Sequence, residues 1–195
     1  MTEETLPSLL SDIRQCSICQ NELPAGPRPV LQASSTARIQ VCGQAPGRRV
    51  HETGIPFNDP SGDRLREWMG IDRDIFYDQE KIAIIPMGFC FPGTSPKGGD
   101  LPPRPECAAN WHDKLFARLP KPVIRLVIGQ YAQNYHLKGP KPKTLTDIVR
   151  NWHDYGPINI PLPHPSPRNN IWLKKNSWFE EEVVPHIQQK ISQVL

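Results

Sequence analysis

The sequence predicts an α/β fold, with a central, mainly parallel four-stranded sheet covered on both faces by helices. Three observations carry that expectation. Four apolar runs have the length of buried strands: Ala37 to Cys42, Ile82 to Pro86, Val123 to Gly129 and Ile158 to Leu162. Stretches of helical spacing lie between or after them, and strands that alternate with helices favour a parallel sheet covered on both faces. The carboxyl ends of the runs carry Gly43-Gln44, Gly88, Gly129 and His164, where ligands sit in open α/β sheets.

Taken in order, Leu6 to Ile13 has helical spacing and runs into Cys16. The first strand stops at Gly43, and a long loop follows as far as Gly62. Loops of that length in compact domains are usually functional. A helix from Ser61 to Met69 turns Leu65 and Trp68 inward, and further helices are expected over Pro105 to Leu119, Gln130 to Leu137, Leu145 to Trp152 and Ile171 to Ile191, the last with a capping Asn176. A chain of 195 residues fits one domain, 1–195, with a real core. Proline is abundant, at 23 of 195 residues against a usual ~5%. Its clusters each precede a strand or helix, so they read as shaped loops rather than linkers. A net charge of +3 permits a nucleic-acid partner without requiring one. No apolar run approaches the ~18 residues of a membrane span, and the N-terminus has no signal-like segment. The expectation is a soluble, cytoplasmic monomer with no membrane partner.

Five cysteines occur, Cys16, Cys19, Cys42, Cys90 and Cys107. In a reducing compartment they are free thiols or metal ligands rather than disulfides. Cys42 closes an apolar strand and reads as core, because free cysteine packs as a small hydrophobe. The other four form two pairs. Cys16-Ser17-Ile18-Cys19 brings two thiolates to one centre from a single turn, and Cys90 and Cys107 bracket a loop of Pro, Gly and Lys that can fold back with two more. Four thiolates suit tetrahedral zinc or an iron–sulfur cluster; incidental loop cysteines are the plain alternative.

Gly43-Gln44-Ala45-Pro46-Gly47, then Thr53-Gly54, Pro56-Phe57 and Ser61-Gly62, and far downstream His164-Pro165-Ser166-Pro167-Arg168-Asn169 together resemble the uracil-DNA glycosylase superfamily, most of all its iron–sulfur family 4 branch. The resemblance covers about residues 12 to 170. It implies a three-layer α/β/α sandwich and a [4Fe–4S] cluster of structural role held by Cys16, Cys19, Cys90 and Cys107, with zinc as the alternative. It also implies DNA containing uracil or a related deaminated base as partner, and hydrolysis of the N-glycosidic bond as reaction. The chain departs from the family pattern in three places. Gln44 stands where the family has glutamate, Pro86 falls where counting back from Cys90 reaches a uracil-reading asparagine, and Arg48-Arg49-Val50-His51 replaces an acidic run.

Cleaving a base from deoxyribose requires extruding it, holding it flat, stabilising negative charge on its carbonyl and positioning a water. Phe57 can stack on the flipped ring or serve only as a plug beneath the loop. His164, stiffened by flanking prolines, can donate a hydrogen bond to the developing oxyanion. Gln44 and Ala45 approach the base through backbone N–H groups, which accounts for glycine at 43 and 47. Gln44 orients a water but cannot take its proton; His51, Glu52 and Asp59 in the same loop are the alternatives. Asn58 is the candidate to compensate for the missing asparagine, since an amide pairs with both a carbonyl and an N–H. Ser166, Arg168 and Asn169, with a helix starting near Asn170, suit DNA phosphates. Lys138, Lys141 and Lys143 form a second basic patch or a solvated surface. No lysine stands beside either motif for Schiff-base chemistry, so a monofunctional enzyme is expected. The alternative is a non-catalytic iron–sulfur nucleic-acid-binding relative of the same fold, motivated by Gln44 and Pro86.

Overall fold

The computed structural model describes residues 4–139 and 144–195; Lys141 and Lys143 of the expected basic patch lie outside them. Four strands, β1 (Ile39–Cys42), β2 (Ile82–Ile84), β3 (Ile124–Ile128) and β4 (Asn159–Leu162), form one all-parallel sheet in the order β2-β1-β3-β4. Val41 pairs with Ile84 on one side and Leu126 on the other, and Leu126 pairs with Ile160. The expected fold class is the observed one.

Period-two alternation divides the core into two layers. One face of the sheet presents Ile39, Val41, Ile82, Ile84, Ile124, Leu126, Ile128, Ile160 and Leu162. It is covered by α3 (Pro60–Met69) through Leu65, Trp68 and Met69, by α4 (Arg73–Tyr77) through Phe76, and by the C-terminal helices through Phe179, Val183, Ile187 and Ile191. The opposite face carries Ala83, Cys42 and Val127, and packs on α1 (Leu6–Arg14) and on a helical stretch over residues 105–117. That stretch runs from α5 (Pro105–Cys107) through a π segment (Ala108–His112) into α6 (Asp113–Ala117). Polar residues on this second face are paired. Arg125 Nε donates to Gln40 Oε1 at 2.8 Å and its guanidinium stacks over Phe116, so this half-buried charge is neither bare nor unsatisfied.

Helix ends follow local rules. Thr5 caps α1, and Asp59 caps α3 by accepting from Gly62 N at 2.9 Å, with Pro60 opening the helix and Gly70 (φ 67°) closing it. Beyond β3, α7 (Gly129–His136) and α8 (Leu145–Arg150) lie where helical spacing placed them. Asn176 separates α9 (Asn170–Lys175) from a π turn (Phe179–Val183) leading into α10 (Val184–Ser192); it donates to Trp172 O and accepts from Trp178 Nε1. Two elements depart from the expectation. The stretch read as one loop from Gly43 to Gly62 contains α2 (Arg48–Thr53), and α4 follows Asp72, which caps it. Both are too short to carry a helical apolar pattern, and tertiary contacts hold them. Arg28 Nη1 fastens the end of α2 by donating to the carbonyls of His51 and Glu52 at 2.6 and 2.8 Å.

Outside the four strands, Gln32 forms an antiparallel bridge with Ile84 along the outer side of β2, and its side-chain amide donates to Ile82 O at 2.8 Å. At the other margin, β4 contains Pro161.

Candidate active site

A cavity of about 460 Å³ opens at the carboxyl ends of the strands. Its walls are Gly43 to Gly47 after β1, Pro86 after β2, the turn Pro56-Phe57 with Asp59, the pair Gly99-Asp100, and the loop after β4 with His164, Ser166, Arg168 and Asn169. The wall after β1 is pinned by main-chain bonds, in which Met87 N donates to Gly43 O and Gly88 N to Gln44 O, both at 2.9 Å. Gln44 and Ala45 thus reach the cavity on a fixed backbone. The Gln44 side chain turns across it, donating from Nε2 to Leu101 O at 3.2 Å.

Phe57 is the one described non-glycine residue with positive φ, at 53°. Such a conformation is strained for a bulky residue and persists only where the surroundings impose it. The imposing contacts are on both sides. Tyr77 Oη donates to Pro56 O at 2.9 Å, and the Phe57 carbonyl lies so close to Gly62 that a Cβ there would come within 1.8 Å of its oxygen. The ring lines the cavity near Gly43 and rests edge-on against Phe76, centroids 6.1 Å apart at 87°. The ring is thus packed against the core on one side and presented to the cavity on the other.

His164 Nδ1 accepts a hydrogen bond from Ser166 N at 3.2 Å. A backbone amide can only donate, so the imidazole proton resides on Nε2. Burial lowers the His164 pKa, opposed by the nearby negative charge of Asp59, and a neutral ring with an Nε2–H donor is the form at neutral pH. The loop carrying it is held from two sides. Asn169 Nδ2 donates to His164 O at 2.7 Å, and Arg64 on α3 donates to Ser166 O at 3.0 Å and to Asn170 Oδ1 at 2.7 Å. Arg64 escaped the sequence reading because it belongs to a helix distant in the chain.

Of the expected site residues, the cavity brings together Gln44, Ala45, Phe57, His164, Ser166, Arg168 and Asn169. His51 and Asn58 are not among its walls. His51 faces the other side of α2, its ring 6.0 Å from Phe91, and Asn58 Oδ1 accepts from Arg73 at 3.4 Å. Two carboxylates do line the cavity, Asp59 and Asp100. Asp100 was not foreseen: it sits in a Gly- and Pro-rich loop without periodicity. Burial raises its pKa and Asp59 adds to the rise, while Arg168 and Arg48 oppose it.

Cys16, Cys19, Cys90 and Cys107 line a second, small cavity together with Pro27, Pro29 and Arg104. Burial pushes the Cys90 thiol up to about 11 and Cys107 to about 12, with the neighbouring cysteines adding to both. Among the described residues, no group of three or more His, Cys, Asp or Glu is set to hold a metal ion. Cys42 is elsewhere, fully buried among Met87, Val127 and Ala132, its thiol pushed to about 12 by burial.

Together these features define an α/β domain with its crevice outside the carboxyl ends of a parallel sheet. The chain belongs to the Uracil DNA glycosylase superfamily, whose sequence profile matches residues 31–188. Among solved structures it is similar to the solution NMR structure of a candidate uracil DNA glycosylase from Methanosarcina acetivorans, at 17% sequence identity and a TM-score of 0.47, over 82% of this chain and 98% of that one.

Proposed function

We propose that the protein is a monofunctional DNA glycosylase that hydrolyses the N-glycosidic bond of uracil or a related deaminated base. The observation that carries this reading is the His164 tautomer: the Ser166 amide occupies Nδ1 and leaves Nε2–H as the donor of a ring that lines a base-sized cavity beside Phe57. In that reading the flipped base stacks on Phe57 and meets the backbone of Gln44 and Ala45. As the bond to C1′ breaks, the electron pair leaves with the base, and His164 Nε2–H stabilises the charge on its carbonyl oxygen. A neutral donor suits that task, because it needs no proton from solvent before the reaction. Ser166, Arg168 and Asn169 meet the flanking DNA backbone.

Cys16, Cys19, Cys90 and Cys107 would hold a [4Fe–4S] cluster, which when bound supplies a structural crosslink rather than a reacting group. Four thiols around one cavity are the donor set of such a cluster. The same four thiols would equally suit tetrahedral zinc, which remains the alternative.

The test is incubation of the purified protein with labelled DNA carrying uracil, hypoxanthine or xanthine, followed by alkaline cleavage of abasic sites. Strand scission at one of these bases is the expected result. His164→Ala should slow it by about a hundredfold or more, as loss of one oxyanion donor does, while affinity for uncleaved DNA barely changes. The second reading, a nucleic-acid binder without cleavage, is favoured by Pro86, which lines the cavity but offers no side-chain donor to a base. It predicts that all three bases stay intact and that His164→Ala weakens DNA association as much as Arg168→Ala does.

A further inference from the structure

If the chain is a glycosylase, it lacks an obvious proton acceptor for the attacking water, because position 44 carries an amide. The amide is also committed elsewhere. Gln44 Nε2 donates to Leu101 O, and Leu101 directly follows Asp100. We infer that Asp100 is the carboxylate that holds and deprotonates the attacking water, and that Gln44 is the positioning residue that sets it in place. This rests on the glycosylase reading above.

The loop that carries Asp100 is built rather than slack. Thr94 and Asp100 pair as an antiparallel bridge, with Leu101 N donating to Gly93 O at 2.9 Å and Ser95 N to Gly99 O at 2.8 Å. This small hairpin is gripped twice, at Leu101 by Gln44 of the wall after β1 and at Thr94 Oγ1 by Arg48 Nη2 at the start of α2, 3.5 Å away. The carboxylate consequently lies against the glycine turn, with Oδ2 3.4 Å from where a Gly47 Cβ would stand. Among the described residues it accepts no hydrogen bond, so its lone pairs remain available to a water. The guanidinium of Arg168 comes within 3.0 Å of a Cβ position at Gly99.

The other acids are less suited. Asp59 lines the same cavity, but its Oδ1 is committed to the α3 cap. Glu52 and His51 are not among the walls. The charged groups facing Asp100 are Arg168, Arg48 and Asp59; burial, with Asp59, raises its pKa and so makes it a stronger base than a solvated carboxylate, while the two cations favour its ionised form. In the step, water oxygen bonds to C1′ as the C1′–N bond breaks and its electron pair departs with the base. The water proton passes to Asp100, and the base anion is protonated on release.

The test combines single-turnover base release with binding of DNA containing a cationic pyrrolidine or a neutral tetrahydrofuran abasic analogue. Asp100→Asn should slow release by about a hundredfold or more, the usual scale for loss of a general base. It should remove the preference for pyrrolidine while leaving tetrahydrofuran binding intact, a split that mere loss of structure does not produce. The acid limb of the wild-type pH–rate profile should vanish in this variant. Gln44→Glu removes the donor to Leu101 O and adds a like charge near Asp100, so it should move that limb to higher pH. If Asp100→Asn keeps wild-type rate, acid limb and analogue preference, the inference is overturned while the glycosylase reading stands. A wild type that releases none of the three bases and shows no pyrrolidine preference overturns both.

Discussion

Phe57 and Gly62 form one unit, because the strained φ of 53° at Phe57 survives only while its carbonyl lies flush against a residue with no Cβ. Gly62→Ala should therefore displace the Phe57 ring and the α3 cap together. The expected outcome is loss of base release with an unchanged metal content, measured on protein whose circular dichroism stays helical. Phe57→Ala leaves the backbone free to relax and removes the ring itself. It should weaken binding to flipped-base DNA by roughly 1–3 kcal/mol, the scale of base–aromatic stacking; full affinity in that variant would leave the ring as a core plug alone. His164 was legible in the sequence from its Pro-His-Pro-Ser-Pro setting. Its tautomer was not, since that depends on where the Ser166 amide points after the turn closes.

At the scale of elements, the segment from Cys90 to Cys107 joins the thiol cavity to the cavity above the sheet: its two ends line the first, and Gly99 and Asp100 line the second. If the four thiols hold a cluster, anaerobically purified protein should be brown, and Cys90→Ser or Cys107→Ser should lower both iron content and base release, by freeing the loop that bears Asp100. Cys42→Ala should change neither. Colourless protein with stoichiometric zinc would replace the cluster by zinc on the same thiols, whereas equal iron loss in all three variants would show a different ligand set. The strands, α3 and the pairing of these cysteines were readable because periodicity, capping residues and spacing are local signals. α2, α4 and Asp100 were not. The two helices are held by Arg28, Asp72 and the sheet beneath, and Asp100 is brought to Gln44 only by folding.

For the whole molecule, two buried histidines tie stability to pH. Among the described residues, His112 is fully buried near the Pro86 and Met87 backbone without a well-formed hydrogen bond, and His136 Nε2 likewise has no partner. Burial lowers His112 to about 4 and His136 to about 3. Below about pH 6.5, the ordinary histidine value, the unfolded chain binds protons that the folded one refuses, so stability is full above that pH and falls as pH drops toward 4. Each group contributes a slope of up to about 1.4 kcal/mol per pH unit. Urea unfolding at pH 7, 6, 5 and 4.5 should show this decline, and His112→Gln should flatten it; an unchanged slope would mean the ring titrates normally. The margins of the sheet have a consequence of another kind. An exposed outer strand is a template on which a second chain can add and aggregate. Here Gln32 already occupies the hydrogen-bonding side of β2. On β4, Ile158 O bonds toward β3, so the alternation of the strand turns Pro161 outward, where it offers no N–H. Each border therefore offers fewer free backbone groups to a neighbouring strand, which works against strand addition and the fibril formation that follows from it.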